Sequence, residues 1–177
     1  MKSIQPERLV FVDESGATTE MTRRYGRAPV GERIREATPA GHWSVLTLLG
    51  AMTKDGMLAS MTVDSATDGE VFLAYLDQVL CPALRPGQVV VMDNLSAHKV
   101  PGVRQRIEAV GAELLYLPPY SPDYNPIEKA WSKIKQHLRS AKSRTVEVLE
   151  ETIALALRSI SAQNAVAWFS HCGYGLQ

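Results

Sequence analysis

The chain has 177 residues, with 19 acidic and 19 basic residues, so its formal net charge is zero. Its composition, 45% hydrophobic and 21% charged, is that of an ordinary globular protein, which excludes a disordered or fibrous chain. The apolar run "VLTLLGAM" is too short to span a bilayer, and no signal peptide follows the first lysine. Only two cysteines occur, Cys81 and Cys172, which excludes a disulfide framework. We therefore expect one cytoplasmic domain, residues 1–177, with reduced thiols and no membrane contact.

The first part of the chain predicts a strand followed by an irregular segment. The apolar run in "RLVFVDESG" predicts a buried strand that ends at Asp13. Residues 17–41 contain five arginines, two prolines and three glycines without a clear period. We interpret them as an irregular insertion between the first strand and the next.

A hairpin and a helix come next. Two apolar runs flank Lys54-Asp55-Gly56, and an Asp-Gly turn between such runs predicts a β-hairpin. Apolar residues at helical spacing over 71–80 predict a helix, which Thr67 or Asp68 can cap. Pro82 and Pro86-Gly87 are expected to stop this helix.

Strands and helices alternate in the following part. Residues 88–94 predict a second buried strand, which ends at Asp93, and residues 113–117 predict a third. A short helix closed by Gly111 lies between them. This order indicates parallel pairing with right-handed crossovers, and the hairpin indicates antiparallel pairing. We expect an α/β fold with a mixed sheet flanked by helices.

The last part predicts helices over residues 126–140 and 145–160, and a shorter helix within 162–174. In the first of these, Ile127, Trp131, Ile134 and Leu138 recur at helical spacing and predict a buried stripe. Trp131 is expected in the core, one turn from Glu128, and could border a site at the start of this helix.

Three carboxylates carry the strongest chemical signal. Asp13 and Asp93 end predicted strands, and functional groups of open α/β sheets gather at the carboxyl ends of parallel strands. Glu128 stands in the first helical turn after the Pro-rich loop of "LPPYSPDYNPIEKAW". Carboxylates held close together repel one another, and divalent cations such as Mg²⁺ remove that penalty. Two such ions about 4 Å apart can support phosphoryl transfer.

Each of these residues also has a purely structural interpretation. Asn125 is a favoured N-cap, and Glu128 fits a capping box with it. Asp13 fits a turn in Asp-Glu-Ser-Gly, and Asp93 with Asn94 fits an Asx turn. His98 fits a surface position. The joint occurrence of two strand-end aspartates and a first-turn glutamate favours the metal site.

The segments "FVDESG", "VVVMDNLSAHK" and "LPPYSPDYNPIEKAWSKIK" together resemble the catalytic core of Asp-Asp-Glu (DDE) transposases. The resemblance is closest to the bacterial insertion-sequence branch related to mariner elements. Residues 94–127, 34 in all, separate Asp93 from Glu128, which matches the spacing in that branch. The segment "WFSHCGY" near the C-terminus is also similar to the end of that branch.

The resemblance implies a ribonuclease-H-like fold in which Asp13, Asp93 and Glu128 are catalytic and bind two Mg²⁺ or Mn²⁺ ions. It implies hydrolysis at transposon ends, followed by attack of the freed 3′-hydroxyl on target DNA at a TA dinucleotide. A catalytically silent DNA-binding or assembly subunit is one alternative. Another ribonuclease-H-like nuclease, such as a resolvase or an RNA-cutting enzyme, is the second.

DNA is the expected partner. Basic side chains predicted to contact its backbone, with a solvated basic face as the alternative, are Lys99, Lys129, Lys133, Lys135, Arg139, Arg23 and Arg24. Full-length members usually carry N-terminal helix-turn-helix modules, for which this chain has no room before its first strand. We expect that region to be separate or joined by frameshifting, unless this copy is a truncated remnant. Paired ends suggest a homodimer by analogy, in a bacterial cytoplasm at the nucleoid.

Overall fold

The computed structural model describes residues 5–39 and 41–175, and within them five strands form one mixed sheet in the order β3-β2-β1-β4-β5. The strands are β1 (Leu9–Thr18), β2 (Val45–Thr53), β3 (Gly56–Val63), β4 (Val89–Met92) and β5 (Glu113–Tyr116). The pairs β1–β2 and β2–β3 are antiparallel, whereas β1–β4 and β4–β5 are parallel. The expected mixed sheet, with its antiparallel hairpin and parallel section, is confirmed.

Helices cover both faces of the sheet. They are α1 (Gly69–Tyr75), α2 (Val103–Ala109), α3 (Ile127–Ala141), α4 (Val146–Arg158) and α5 (Ala162–His171). Because side chains alternate along a strand, Phe11 faces an apolar cluster with α3, α4 and α5, while Val10 faces one with α1 and α2. Within the described residues, no helix combines the length and apolar character required to cross a membrane.

The first strand is longer than the sequence predicts. β1 continues through Asp13 to Thr18, because β2 pairs with it from Phe11 to Thr18. The parallel pairing with β4 stops at Phe11. Asp13 therefore lies inside a strand, and both the predicted strand end and the turn at Asp-Glu-Ser-Gly are wrong. The irregular segment begins after Thr18 rather than at residue 17.

The helix predicted over residues 71–80 is present, but Pro82 does not stop it. Asp68 caps it, since its side chain accepts a hydrogen bond from the Val71 N–H at 2.9 Å. A π-helical segment (Leu76–Leu80) and one further helical turn (Cys81–Ala83) continue α1. Pro82 lies at the start of that last turn, where the lack of an N–H breaks no bond within the turn.

Phe169 of α5 is central to the core on the α3 side. Its side chain is fully buried and meets the Phe11 ring edge-on, with centroids 5.3 Å apart. We expect Phe169→Ala to lower the free energy of unfolding by about 3–5 kcal/mol, because it leaves a cavity in that core. Urea unfolding followed by circular dichroism measures the loss.

Val166 supplies a matched control on the same helix, because 39% of its surface is exposed. Val166→Ala is expected to change the free energy of unfolding by no more than about 0.5 kcal/mol. Equal losses in the two variants would contradict the position of α5 in the core.

Candidate active site

Strand register brings the two aspartates to the same end of the sheet. Phe11 of β1 and Val91 of β4 are paired directly. Asp13 and Asp93 each lie two residues further along, so the two acids lie at the same end of neighbouring strands. Asp93 follows the last residue of β4, whereas Asp13 is held on its other side by β2.

The loop between β5 and α3 carries Glu128 to the same place. The loop starts firmly attached, because the Leu117 N–H donates to the Met92 carbonyl at 2.9 Å. The side-chain amide of Asn94 donates to the Leu117 carbonyl. These bonds tie the start of the loop to the segment that follows β4, and Glu128, at the other end of the loop, lines the same cavity as Asp93.

The C-terminal segment braces the far end of this loop. The ring of Tyr174 lies 5.0 Å from the ring of Phe11, measured between centroids. Its hydroxyl donates to the Tyr124 carbonyl at 2.8 Å. The segment "WFSHCGY" thus connects the core to the turn that precedes α3.

Asp13, Asp93 and Glu128 line one cavity of about 410 Å³, whose other walls come from the loops after β4 and β5. Across the described part of the chain, no three His, Cys, Asp or Glu side chains are grouped closely enough to hold a metal ion. The structure therefore brings the three predicted residues to one cavity without the tight cluster that the sequence predicts. Each of the two aspartates instead accepts a hydrogen bond from another side chain: Asp13 from Trp131, and Asp93 from His98.

Asp13 is a buried acid with acidic neighbours. Its side chain is 8% exposed, and Oδ2 accepts a hydrogen bond from the indole N–H of Trp131 at 3.2 Å. Burial, with the negative charges of Glu128 and Glu14, raises the pKa of Asp13 to about 7. Near neutral pH this carboxyl is therefore close to half-ionised, and any nearby cation favours its ionised form.

Asp93 is held by His98, whose side chain is fully buried. The Nδ1 atom of His98 lies 2.7 Å from Asp93 Oδ1, and Nε2 lies 2.9 Å from Glu14 Oε2. Burial by itself lowers the pKa of His98, but hydrogen bonds to these two carboxylates outweigh burial and raise the pKa to about 9. At neutral pH the imidazolium donates to both acids, and its bond lowers the pKa of Asp93.

The contacts of His98 with Asp93 and Glu14 correct the interpretation of His98, and a further contact of Asp93 supports the predicted Asx turn. His98 is not a surface residue, and Glu14, which lies in the segment "FVDESG" but had no predicted role, is a fourth carboxylate at this end of the sheet. The Asx turn at Asp93 is confirmed, because Oδ1 also accepts the Leu95 N–H at 2.9 Å. The nearest sequence signal for Glu14 is its position directly after Asp13.

Asn125 does not cap α3. Pro126 precedes the first helical residue, and no side chain caps the helix start. Asn125 is 4% exposed, and its Oδ1 has no hydrogen-bond partner within residues 5–39 and 41–175. The capping box with Glu128 is therefore wrong. Asn125 lines the cavity, so its orphaned oxygen adds to a set of hard oxygen donors that fits Mg²⁺ or Mn²⁺.

Two of the predicted DNA contacts have protein partners. The Lys99 ammonium lies 5.6 Å from the ring centroid of Tyr116 and stays exposed. The Lys133 ammonium donates to the Ser159 carbonyl at 2.8 Å and to Asn164 Oδ1 at 2.7 Å. Lys133 therefore joins the end of α4 to the start of α5, and we leave it out of any DNA surface.

Arg23, Arg24 and Arg139 line a second cavity, of about 380 Å³, between the irregular segment and α3. Burial and the charge of Arg24 lower the pKa of Arg139, as expected where like charges crowd together. Lys129 is exposed and Lys135 is partly exposed along α3. The structure thus places these basic residues on or beside the helix that begins with Glu128.

The irregular segment is attached at two points. The Arg144 guanidinium donates to the Thr19 carbonyl at 2.8 Å and to the Met21 carbonyl at 3.1 Å. Lys142, which ends α3, forms an ion pair with Glu36. Both contacts hold the arginines of this segment against α3.

Comparison with known proteins gives consistent results. The sequence model of the family described as DDE superfamily endonuclease matches residues 8–150. The Transposable element Tcb2 transposase of Caenorhabditis briggsae is 28% identical over 145 residues, which cover 76% of this chain and 53% of that protein.

Solved structures extend the likeness to the fold. The Mos1 transposase paired-end complex with left transposon end matches with a TM-score of 0.76 at 16% identity, over 93% of this chain and 52% of that one. The Mos1 mariner paired end complex with Mn gives 0.74 at 17% identity, over 95% and 52%. The expected ribonuclease-H-like fold is confirmed. The chain spans about half the length of each of these relatives.

The raised pKa of Asp13 predicts how stability depends on pH. A carboxyl whose pKa rises on folding binds its proton more tightly in the native state. Its contribution to stability is complete below the ordinary aspartate pKa of 3.8 and is lost as the pH rises through about 7. Asp13→Asn removes this dependence. The free energy of unfolding of the variant, minus that of the unmodified chain, is the gain, and it should be about 2 kcal/mol larger at pH 8 than at pH 5.

Urea unfolding in the presence of EDTA measures both gains. Asp64→Asn, at an exposed position after β3, is the matched control and should change the free energy of unfolding by no more than about 0.5 kcal/mol. An equal gain for Asp13→Asn at both pH values would contradict the perturbed carboxyl.

Proposed function

Because this chain belongs to the DDE superfamily of endonucleases, we propose that it is the catalytic domain of a transposase. In this proposal it hydrolyses a phosphodiester bond at a transposon end and joins the freed 3′-hydroxyl to target DNA. One observation carries the proposal: Asp13, Asp93 and Glu128, far apart in sequence, line one cavity at the end of the sheet. The matched relatives are described as transposases, and one matched complex of Mos1 contains a left transposon end.

Divalent metal is the second part of the proposal. Asp13, Asp93 and Glu128, with the unpaired oxygen of Asn125, supply only oxygen ligands, which suits two Mg²⁺ or Mn²⁺ ions. When bound, such ions neutralise charge on the attacking and leaving oxygens of phosphoryl transfer. A structure of Mos1 is described as a complex with Mn, which supports this choice.

The residues of the chain itself have distinct tasks in this scheme. His98 keeps Asp93 ionised and fixed, because it donates to both Asp93 and Glu14. The loop between β5 and α3, which is braced by Tyr174, fixes where Glu128 points. A bound cation would draw the three carboxylates closer together, and these contacts already restrain one of the acids and the loop that leads to another.

The proposed DNA surface runs along α3. Arg23, Arg24 and Arg139 form its densest positive charge, and their cavity offers the guanidinium donors that bind phosphate oxygens. Lys129 and Lys135 extend the charge along the same helix, and Lys99 lies near the carboxylate cavity. Lys133 is excluded because its ammonium is already paired.

Finer points rest on the family resemblance alone. They are the TA target, the homodimer, a helix-turn-helix region that acts with this domain, and the place of the chain in a bacterial insertion-sequence branch. A cytoplasmic location at the nucleoid belongs to the same set. We propose each as the working expectation for this chain.

Glu128→Gln tests the chemistry. It should abolish Mn²⁺-dependent nicking of a supercoiled plasmid, because it removes one ligand charge while it keeps the shape of the side chain. Glu151→Gln, an exposed change on α4, is the matched control and should retain full activity. Full activity of Glu128→Gln would refute the proposed site.

Calorimetry with Mn²⁺ and cleavage of other nucleic-acid substrates separate the two alternative functions. A chain that binds DNA but takes up no Mn²⁺ in calorimetry is a silent subunit. A chain that cuts four-way junctions or RNA–DNA hybrids and leaves plasmid DNA intact is a different nuclease.

Arg139→Gln tests the DNA surface. It should weaken duplex binding and reduce the slope of log affinity against log salt by about 1, because one phosphate contact is lost. Fluorescence anisotropy with labelled duplex at several salt concentrations measures both quantities. Arg158→Gln, at the exposed end of α4, should change neither. An unchanged salt slope for Arg139→Gln would place the DNA elsewhere.

A further inference from the structure

Trp131 connects the helix of Glu128 to the strand of Asp13. It lies on α3, three residues after Glu128, and is 2% exposed within the apolar stripe of that helix. Its indole Nε1 donates to Asp13 Oδ2 at 3.2 Å, in a buried contact. An indole has one N–H and no acceptor, so this bond is the only hydrogen bond that the ring can donate.

Gly50 of β2 makes this contact possible. It is the direct antiparallel partner of Asp13 in the sheet. A Cβ atom at position 50 would lie 3.0 Å from Cζ2 of Trp131 and 2.6 Å from Cη2, and the second distance is shorter than real Cβ atoms show. Gly50 stands inside a regular strand, so the lack of a side chain explains the glycine here. The indole ring therefore rests on bare backbone opposite the acid that it bonds.

The bond from Trp131 restrains one oxygen of the Asp13 carboxylate. Oδ2 is held by the indole, and Asp13 lines the cavity that Glu128 also lines. A carboxylate held at one oxygen cannot rotate freely, so its other oxygen keeps a fixed direction. Because Trp131 and Glu128 share a helix, the same element places Glu128 and orients Asp13.

We propose that Trp131 is a positioning residue that orients Asp13 for a divalent cation, and that Gly50 provides the space its ring requires. This inference rests on the proposed function, since the ligand is the metal of that site. Outer partners of metal ligands fix ligand orientation, and their loss commonly weakens metal affinity by about 10- to 100-fold. A residue that only fills the core has no such effect on affinity.

Trp131→Phe separates the two roles, because it keeps a buried aromatic ring and removes the N–H. Calorimetric titration of the full chain with Mn²⁺ should show affinity weakened by about 10-fold or more. Gly50→Ala keeps the N–H but displaces the ring, and it should weaken Mn²⁺ binding in the same direction. Thermal unfolding of each variant shows that it is folded before the titration.

Two matched control variants leave the contact between Trp131 and Asp13 intact. Trp168→Phe changes a tryptophan that packs against the same apolar cluster from α5. Gly16→Ala adds a methyl group to β1 where a Cβ meets nothing within 4 Å. Both should bind Mn²⁺ with the affinity of the unmodified chain.

The outcomes are distinct. If folded Trp131→Phe binds Mn²⁺ as tightly as the unmodified chain, the inference is overturned while the proposed function stands. If the unmodified chain binds no Mn²⁺, the proposed function fails, and the inference fails with it.

If neither Trp131→Phe nor Gly50→Ala folds, nuclear magnetic resonance of the unmodified chain decides. The chain has three tryptophans, so Trp43→Phe and Trp168→Phe assign the Trp131 indole N–H signal by elimination. Mg²⁺ should shift that signal, and Asp13→Asn should remove the shift. An indole signal that ignores Mg²⁺ overturns the inference.

Discussion

Burial of carboxylates beside one another, with the repulsion that adds to it, is the constraint that shapes this end of the molecule. Asp13 is buried beside Glu128 and Glu14, and the cost of its charge raises its pKa to about 7. Asp93 avoids the same cost because the buried His98 donates to it and to Glu14. Hydrogen bonds from a tryptophan and a histidine thus hold in place a set of acids whose charges repel one another. The fold can keep such a set at the end of its sheet only because these donors are built into the core.

The sheet supplies the geometry that this constraint requires. β1 pairs with β2 on one side and with β4 on the other, and only the pairing with β4 stops before Asp13. One side of Asp13 is therefore fixed by the sheet, while the other side opens toward the segment after β4. A strand that ended at Asp13 would leave the acid on a loop and remove its fixed contact with Trp131.

Much of the fold could be read from the sequence, because most elements carry their own local signal. The Asp-Gly turn indicated the hairpin, and helical spacing indicated the helices that are present. The end of β1 could not be read, since it depends on how far β2 pairs with it. The continuation of α1 past Pro82 was missed because a proline at the start of a helical turn costs little.

In the site, too, some residues could be predicted from local sequence signals and others could not. Asp13, Asp93 and Glu128 stood out because each is an acid at a predicted strand end or helix start, and because their motifs resemble those of DDE transposases. The side chains that hydrogen-bond these acids could not be predicted, because the contacts join residues far apart in sequence. For example, 118 positions separate Trp131 from Asp13. The capping box at Asn125 failed for the opposite reason, since a strong local pattern was overruled by burial of the side chain against the cavity.

The contacts of Tyr174 join the loop ahead of Glu128 to a residue that comes much earlier in the sequence. A ribosome adds residues one after another, so all three acids of the cavity emerge before the tyrosine whose hydroxyl secures the turn at Tyr124. That tyrosine reaches its place only when its ring has settled against Phe11, a residue from the first strand. The segment around Tyr174 and strand β1, far apart in sequence, must therefore pack together for the loop ahead of Glu128 to be secured. The shape of the cavity in this way depends on contacts between distant parts of the chain.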